Sequence, residues 1–191
     1  MSQNKRWYAV YTAAKAEKKV GTRLQQQGIE HYLPLQKICR QWSDRKKWVE
    51  EPLFRSYIFV YTDESQYFQV LNTHGVVKFI TFGGKAVPIP DFQIALVKRL
   101  LMESIELELT REELIEGMPV EITAGPLMGT LGELVYIQGE KRVAIKIHTL
   151  ETSMLVNIPD ICIETIRDSH KLALLDSMRS TKFAPYTREL G

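Results

Sequence analysis

The stretch from Glu51 to Tyr61, EPLFRSYIFVY, constrains the fold more than any other part of the chain. A proline closes what precedes it, and a run rich in β-branched and aromatic residues follows with almost no charge, which reads as a strand. Side chains alternate across a strand, so Phe54, Ser56, Ile58 and Val60 share one face and Tyr57, Phe59 and Tyr61 the other. Neither face is polar. Such a strand belongs in the middle of a sheet, and its second face needs a cover, either from the same chain or from a partner. Both readings are open on the residues alone.

With 191 residues, 45% of them apolar and 25% charged, the chain suits one large or two small domains. The net charge of +2 conceals two opposed segments. Residues 1–104 carry 16 Lys and Arg against 9 Asp and Glu, residues 105–166 carry 4 against 11, and residues 167–191 carry 5 against 3. The basic segment is a candidate for nucleic acid, although the two segments could equally attract each other. Cys39 and Cys162 stand apart in apolar settings without metal-ligand spacing, so buried free thiols and no metal or other cofactor are expected. There is no apolar run near 18 residues and no charged-then-apolar leader, which predicts a cytoplasmic protein away from the membrane. His31, His74, His148 and His170 are scattered without a paired carboxylate or nucleophile, and no phosphate-binding glycine motif occurs, so enzymatic chemistry is not expected.

Trp7 to Thr12 reads as a short strand, and Ala13 to Gln27 as a helix stopped by Gly28. Ala13, Ala16, Val20 and Leu24 gather on its apolar side, Lys15, Lys18, Lys19 and Arg23 on a cationic one. A cationic helix face is either merely solvated or a phosphate site. Ile29 to Ile38 reads as a strand entering an arm, and Gln41 to Val49 as a hairpin turning at Ser43 and Asp44, with Arg40, Arg45, Lys46 and Lys47 around Trp42 and Trp48. Cations neutralise phosphates and an indole can stack on an unpaired base; alternatively the two tryptophans form a cross-strand pair. Asp63 or Ser65 caps a short helix to Asn72, Val76 to Phe82 is a strand, Gly83-Gly84 turns, and Asp91 caps a helix over Phe92 to Ser104. Together these predict an α+β unit, an antiparallel sheet flanked by helices, over residues 1–104.

Residues 105–116 are acidic and read as a linker. From Gly117 short strands follow with turn residues between them: Pro119 to Ile122, Thr130 to Ile137, Arg142 to Ile147, Met154 to Ile158 and Ile161 to Ile166. They predict a small five-stranded barrel over residues 117–166. Residues 167–191 are a tail, disordered or forming a short helix through Leu172, Leu175 and Met178.

The combination resembles a known family. Trp7-Tyr8 opening a strand, the basic helix, EPLFRSYIFVY and THGVVKFITFGG ahead of a Pro-rich turn are similar to the amino-terminal domain of the NusG transcription factors. Residues 116–147 resemble a KOW motif, with Gly117, Gly125-Pro126 and Gly132 at its turns, which implies an SH3-like barrel. EPLF followed by SYIFV is close to the RfaH pattern, that of specialised paralogues that antiterminate long operons for surface polysaccharides. The resemblance implies a monomer that binds elongating RNA polymerase and suppresses pausing and termination. General NusG-like elongation activity and an RNA- or ribosome-binding KOW protein are the alternatives.

By position, the resemblance implies that Tyr11, Phe54, Tyr57, Phe59, Phe82, Ile94 and Val97 receive the clamp helices of the largest polymerase subunit. It implies a second polymerase contact through Gln66, Tyr67 and Phe68, where the His-Thr-Thr stretch of RfaH is lacking. Lys15, Lys18, Lys19, Arg23, Arg40, Arg45, Lys46, Lys47 and His74 would follow the non-template DNA strand. In the KOW unit, the loop His148, Thr149, Leu150, Glu151 and Thr152 would meet a ribosomal small-subunit protein. That loop lacks the aromatic-glycine pair through which NusG engages the terminator Rho, so Rho is not expected. A β-barrel rather than a helical hairpin is expected at rest.

Overall fold

A computed structural model describes residues 4–42, 45–103, 105, 107–110, 114, 117–137 and 139–179. The chain divides into two units, Met1–Leu101 and Met102–Gly191.

In the first unit, β1 (Arg6–Thr12) is followed by α1 (Glu17–Gln26), β2 (Glu30–Tyr32), β3 (Leu35–Gln41), β4 (Lys46–Pro52) and β5 (Tyr57–Thr62). Then come α2 (Glu64–Leu71), β6 (Val76–Phe79), β7 (Thr81–Phe82), β8 (Lys85–Ala86), β9 (Pro88–Ile89) and α3 (Asp91–Met102). The sheet runs β2-β5-β1-β6, with β9 pairing the start of β1 beside β6. As the two-sided apolar pattern requires, β5 is internal, antiparallel to both β1 and β2. On one face Val10, Ile58, Val60 and Phe79 pack with Val20 and Leu24 of α1 and Val70 of α2.

Several expected boundaries move, each for a local reason. The strand read over Ile29 to Ile38 is two, because Pro34 has no N–H to continue a ladder. The strand read from Phe54 begins at Tyr57: Ser56 holds a φ of 64°, a left-handed kink that ends the alternation. Val76 to Phe82 breaks at Ile80, whose N–H goes to the Ala9 carbonyl at 2.9 Å, and Phe82 belongs to a separate β7–β8 hairpin. Gly83 and Gly84 carry that hairpin with φ of 57° and 78°, the pair of positive values a tight two-residue turn demands. The first helix begins at Glu17, after Lys15 at φ 59°, so Ala13 lies outside it and is exposed. Asp91 opens α3 from within its first turn.

In the second unit, β10 (Leu107–Thr110), β11 (Met118–Ile122), β12 (Leu131–Ile137), β13 (Glu140–Ile147), β14 (Thr152–Val156) and β15 (Ile163–Thr165) form one antiparallel sheet, ordered β10-β14-β13-β12-β11-β15. The five strands read from sequence are present. The acidic stretch read as a linker supplies a sixth: Leu107 and Leu109 alternate with Glu108, β10 pairs with β14, and Arg142 donates to Glu108 at 2.6 Å. The tail is not wholly irregular. Asp168 accepts from the backbone N–H groups of His170 and Lys171 and opens α4 (Ser169–Arg179), which packs Leu175, 5% exposed, and pairs Lys171 with Glu121. Residues 180–191 and the hairpin tip at 43–44 lie outside the described residues. Among the described residues no helix is long and apolar enough to cross a membrane.

Candidate functional site

The aromatic face follows from the β1–β5 register. Trp7 stands opposite Tyr61, Ala9 opposite Phe59 and Tyr11 opposite Tyr57, all on the face turned from α1. The chain itself covers one end. Lys98 of α3 places Nζ 5.2 Å from the Trp7 ring centre and 5.1 Å from that of Tyr32, a cation shared between two rings. Burial pushes the Tyr32 hydroxyl up to about 12. Phe59, 1% exposed, receives the edge of Phe54 at 5.7 Å and the stacked ring of Tyr32 at 6.4 Å. The kink at Ser56 is what brings Phe54 to the Phe59 face, against the alternation read from sequence.

Of the residues assigned to a clamp pocket, Phe54, Phe59, Ile94 and Val97 are therefore core, each 3% exposed or less. At the other end Tyr11 and Tyr57 are half-buried and meet edge to face at 5.3 Å. Lys78 of β6 lies in register beside Tyr11, a neighbour that sequence reasoning missed because the β6 register depends on a bulge at Tyr11 and Thr12. Phe82 sits outside the main sheet with half its surface exposed.

On α2 the three assigned residues separate. Asp63 caps the helix, its Oδ1 accepting from the N–H groups of Ser65 and Gln66. The Ser65 hydroxyl, first, and these N–H groups hold the Asp63 carboxyl below its ordinary range. Tyr67 stacks on Phe79 at 4.3 Å within the core, while Phe68 is 68% exposed. Gln66 is half-buried.

The cationic residues come together around α1. Lys18 donates to the Glu50 carbonyl of β4 at 2.8 Å, and Arg23 to the His74 carbonyl at 2.9 Å. One helix thus ties the β3–β4 ribbon to the loop before β6. Gly75, φ 96°, permits that approach, since a Cβ there would stand 2.8 Å from Val20 Cγ2. Lys15, Lys18, Lys19, Arg45, Lys46, Lys47 and His74 are exposed, Arg23 half-buried. Arg40 differs: it holds Glu51 by two hydrogen bonds of 2.7 and 2.8 Å, which keep the Glu51 carboxyl below its usual range. The two tryptophans are not a cross-strand pair. Cys39, exposed rather than buried because the ribbon face it shares is open, stands across from Trp48, and Trp42 lies past the ladder, where its backbone N–H donates to the Arg45 carbonyl.

In the second unit, His148–Leu150 is a 3-10 turn. Thr149, Leu150 and Thr152 are each 5% exposed or less, and Glu151 is exposed at φ 48°. Gly117 and Gly132 mark close backbone approaches: a Cβ on the first would lie 2.3 Å from the Leu134 carbonyl, on the second 2.8 Å from that of Ala144.

The class these features define is a two-unit chain, a basic antiparallel α+β unit followed by an antiparallel β unit. Residues 5–98 match the family model described as "Transcription termination factor nusG". The chain is 29% identical over 153 residues to the transcription termination/antitermination protein NusG of Staphylococcus carnosus, covering 72% of this chain and 82% of that one. It is 28% identical over 153 residues to the protein of the same name from Streptococcus pyogenes serotype M1, covering 73% and 85%. The solved structure of Thermotoga maritima NusG shares the fold, with a TM-score of 0.53 at 24% identity over 86% of this chain and 98% of that one. Residues 5–98 are thus similar in sequence to the NusG family domain, and the chain shares its fold with a NusG structure.

Proposed function

We propose that this protein is a transcription termination/antitermination factor that binds elongating RNA polymerase through the Tyr11–Tyr57 end of its aromatic face. The observation that carries this reading is that Lys98 of α3 covers the face at Trp7 and Tyr32, Phe54 and Tyr32 close over Phe59, and Tyr11 and Tyr57 are left half-buried. A pair of aromatic rings partly open to solvent suits a helical partner, here the clamp helices of the largest subunit. Phe82 and Lys78 extend this contact and Phe68 supplies a second one. The cations that converge on α1 follow the non-template DNA strand. Residues 117–166 act as a KOW unit of SH3-like form, whose close approaches at Gly117 and Gly132 favour that reading. Its partner is a ribosomal small-subunit protein rather than Rho, because the loop 148–152 presents no aromatic-glycine pair.

The factor acts by bridging clamp and nucleic acid, which disfavours the open states that accompany pausing. The EPLF and SYIFV pattern points to a specialised paralogue serving one long operon, such as one for surface polysaccharide. The test is binding of the full-length protein to a core elongation complex, wild type against Tyr11→Ala with Tyr57→Ala. Phe59 is unsuitable for this purpose, because removing a ring that is 1% exposed leaves a cavity in the core. Loss of binding with unchanged circular dichroism is expected. Equal binding by the folded double variant refutes the site.

A further inference from the structure

Among the described residues the ribbon of β3 and β4 pairs with no third strand, so its two faces are set by register alone. Opposed residues share a face. One face carries Gln41 with Lys46, Cys39 with Trp48, and Lys37 with Glu50; the other carries Arg40 with Lys47 and Ile38 with Val49. Trp42 lies past this register, so the two tryptophans are not equivalent. Trp48 is 71% exposed, stands across from a small side chain, and borders an open recess of about 610 Å³ lined by Lys37, Trp48, Val49 and Glu50. On the other face the guanidinium of Arg40 is committed to Glu51.

A strand advances about 3.3 Å per residue, so the exposed Lys46 and Lys37 lie about 7 Å to either side of the Trp48 level. Glu50 stands across from Lys37, but Lys18 brings a second ammonium to the Glu50 carbonyl at 2.8 Å and keeps that level cationic. An exposed indole between two cationic levels matches a chain that is alternately aromatic and anionic, namely single-stranded nucleic acid. A purely structural role for Trp48 would require a bulky partner across the ladder, and Cys39 is not one.

We propose that Trp48 stacks on an unpaired base of single-stranded DNA whose phosphates pass Lys46 and Lys37. This rests on the nucleic-acid reading above and assigns the base contact within it. The test is a fluorescence titration of the full-length Trp42→Phe variant with a short oligothymidylate and with an abasic oligonucleotide of equal length. Trp7 is buried under Lys98, so Trp48 reports contact. Quenching by the oligothymidylate and none by the abasic strand is expected. Trp48→Ala should weaken binding about 10-fold and Trp48→Phe should recover most of it, since stacking tolerates another ring. Equal binding of the abasic strand, or unchanged affinity in Trp48→Ala, overturns the stacking. Should salt-sensitive binding persist with no effect of Trp48, this inference alone fails; if wild-type protein binds no oligonucleotide, the nucleic-acid reading fails with it.

Discussion

The buried carboxylate of Glu17 accepts a 2.6 Å hydrogen bond from the backbone N–H of Ser56, thirty-nine residues away. Ser56 holds φ 64°, and its carbonyl in turn accepts from Thr12 at 2.8 Å. The first turn of α1 thereby fixes the kink that precedes β5 and delivers Phe54 to Phe59. Replacing Glu17 by Ala leaves the part-buried Ser56 N–H without this partner and should destabilise the first unit by about 1–2 kcal/mol. Glu17→Gln keeps an accepting oxygen and should cost less. Denaturant unfolding of the full chain checks the order, and equal effects of the two variants would contradict this role.

Ser56→Gly tests the same kink from the backbone side. A non-glycine residue in the left-handed region costs about 1–2 kcal/mol, partly offset by the greater freedom of glycine in the unfolded chain. The expected result is a gain of up to about 1 kcal/mol in unfolding free energy. Clear destabilisation would show that the serine side chain matters more than its φ.

Glycines of the second unit should fall into two groups. Gly117→Ala forces a Cβ against the Leu134 carbonyl at 2.3 Å, a backbone atom that cannot swing aside, and should cost about 1–3 kcal/mol or more. Gly139, at φ 83°, has open space around it, so Gly139→Ala should cost about 1 kcal/mol from conformation alone. Thermal unfolding of both variants gives the ranking; the reverse order would refute the packing at β12.

Asp63 makes the stability of the first unit dependent on acid. Its carboxyl is held below the ordinary range, first by the Ser65 hydroxyl. A carboxyl depressed on folding contributes stability that is present above its unfolded value, about 3.9, and lost as pH falls through the folded value. Asp63→Asn keeps an N-capping oxygen but removes the titration. Between pH 5 and pH 3 the variant should lose less of its melting temperature than wild type, and parallel losses would assign the acid sensitivity elsewhere.

Under the proposed DNA role, the ribbon cations should differ in their salt dependence. Lys46→Gln with Lys47→Gln removes two exposed charges and should reduce the slope of log affinity against log salt by about 1–2. Arg40→Gln should reduce it less, because its guanidinium already serves Glu51. A reduction of about 0.9 with Arg40→Gln, the share of one full phosphate contact, would show that Arg40 exchanges Glu51 for phosphate.

The aromatic run before Thr62 and the cationic side of α1 were legible because both are local patterns: alternation of two residues places a strand, and spacing of three to four places a helix face. Strand content after Gly117 was legible for the same reason. Which end of the aromatic face is open was not, since Ile94 and Val97 become core, and Lys98 reaches Trp7 and Tyr32, through packing of α3 across many residues. The parity of Phe54 turned on one left-handed serine held by a distant carboxylate. The separation of Trp42 from Trp48 turned on a register that starts at Leu35 and Pro52, well outside the residues that carry the charge. Local periodicity thus defines the elements and their apolar sides. Register, kinks and the cover over each face come from long-range contacts, whose energies depend on which groups meet and leave no repeating mark in the chain.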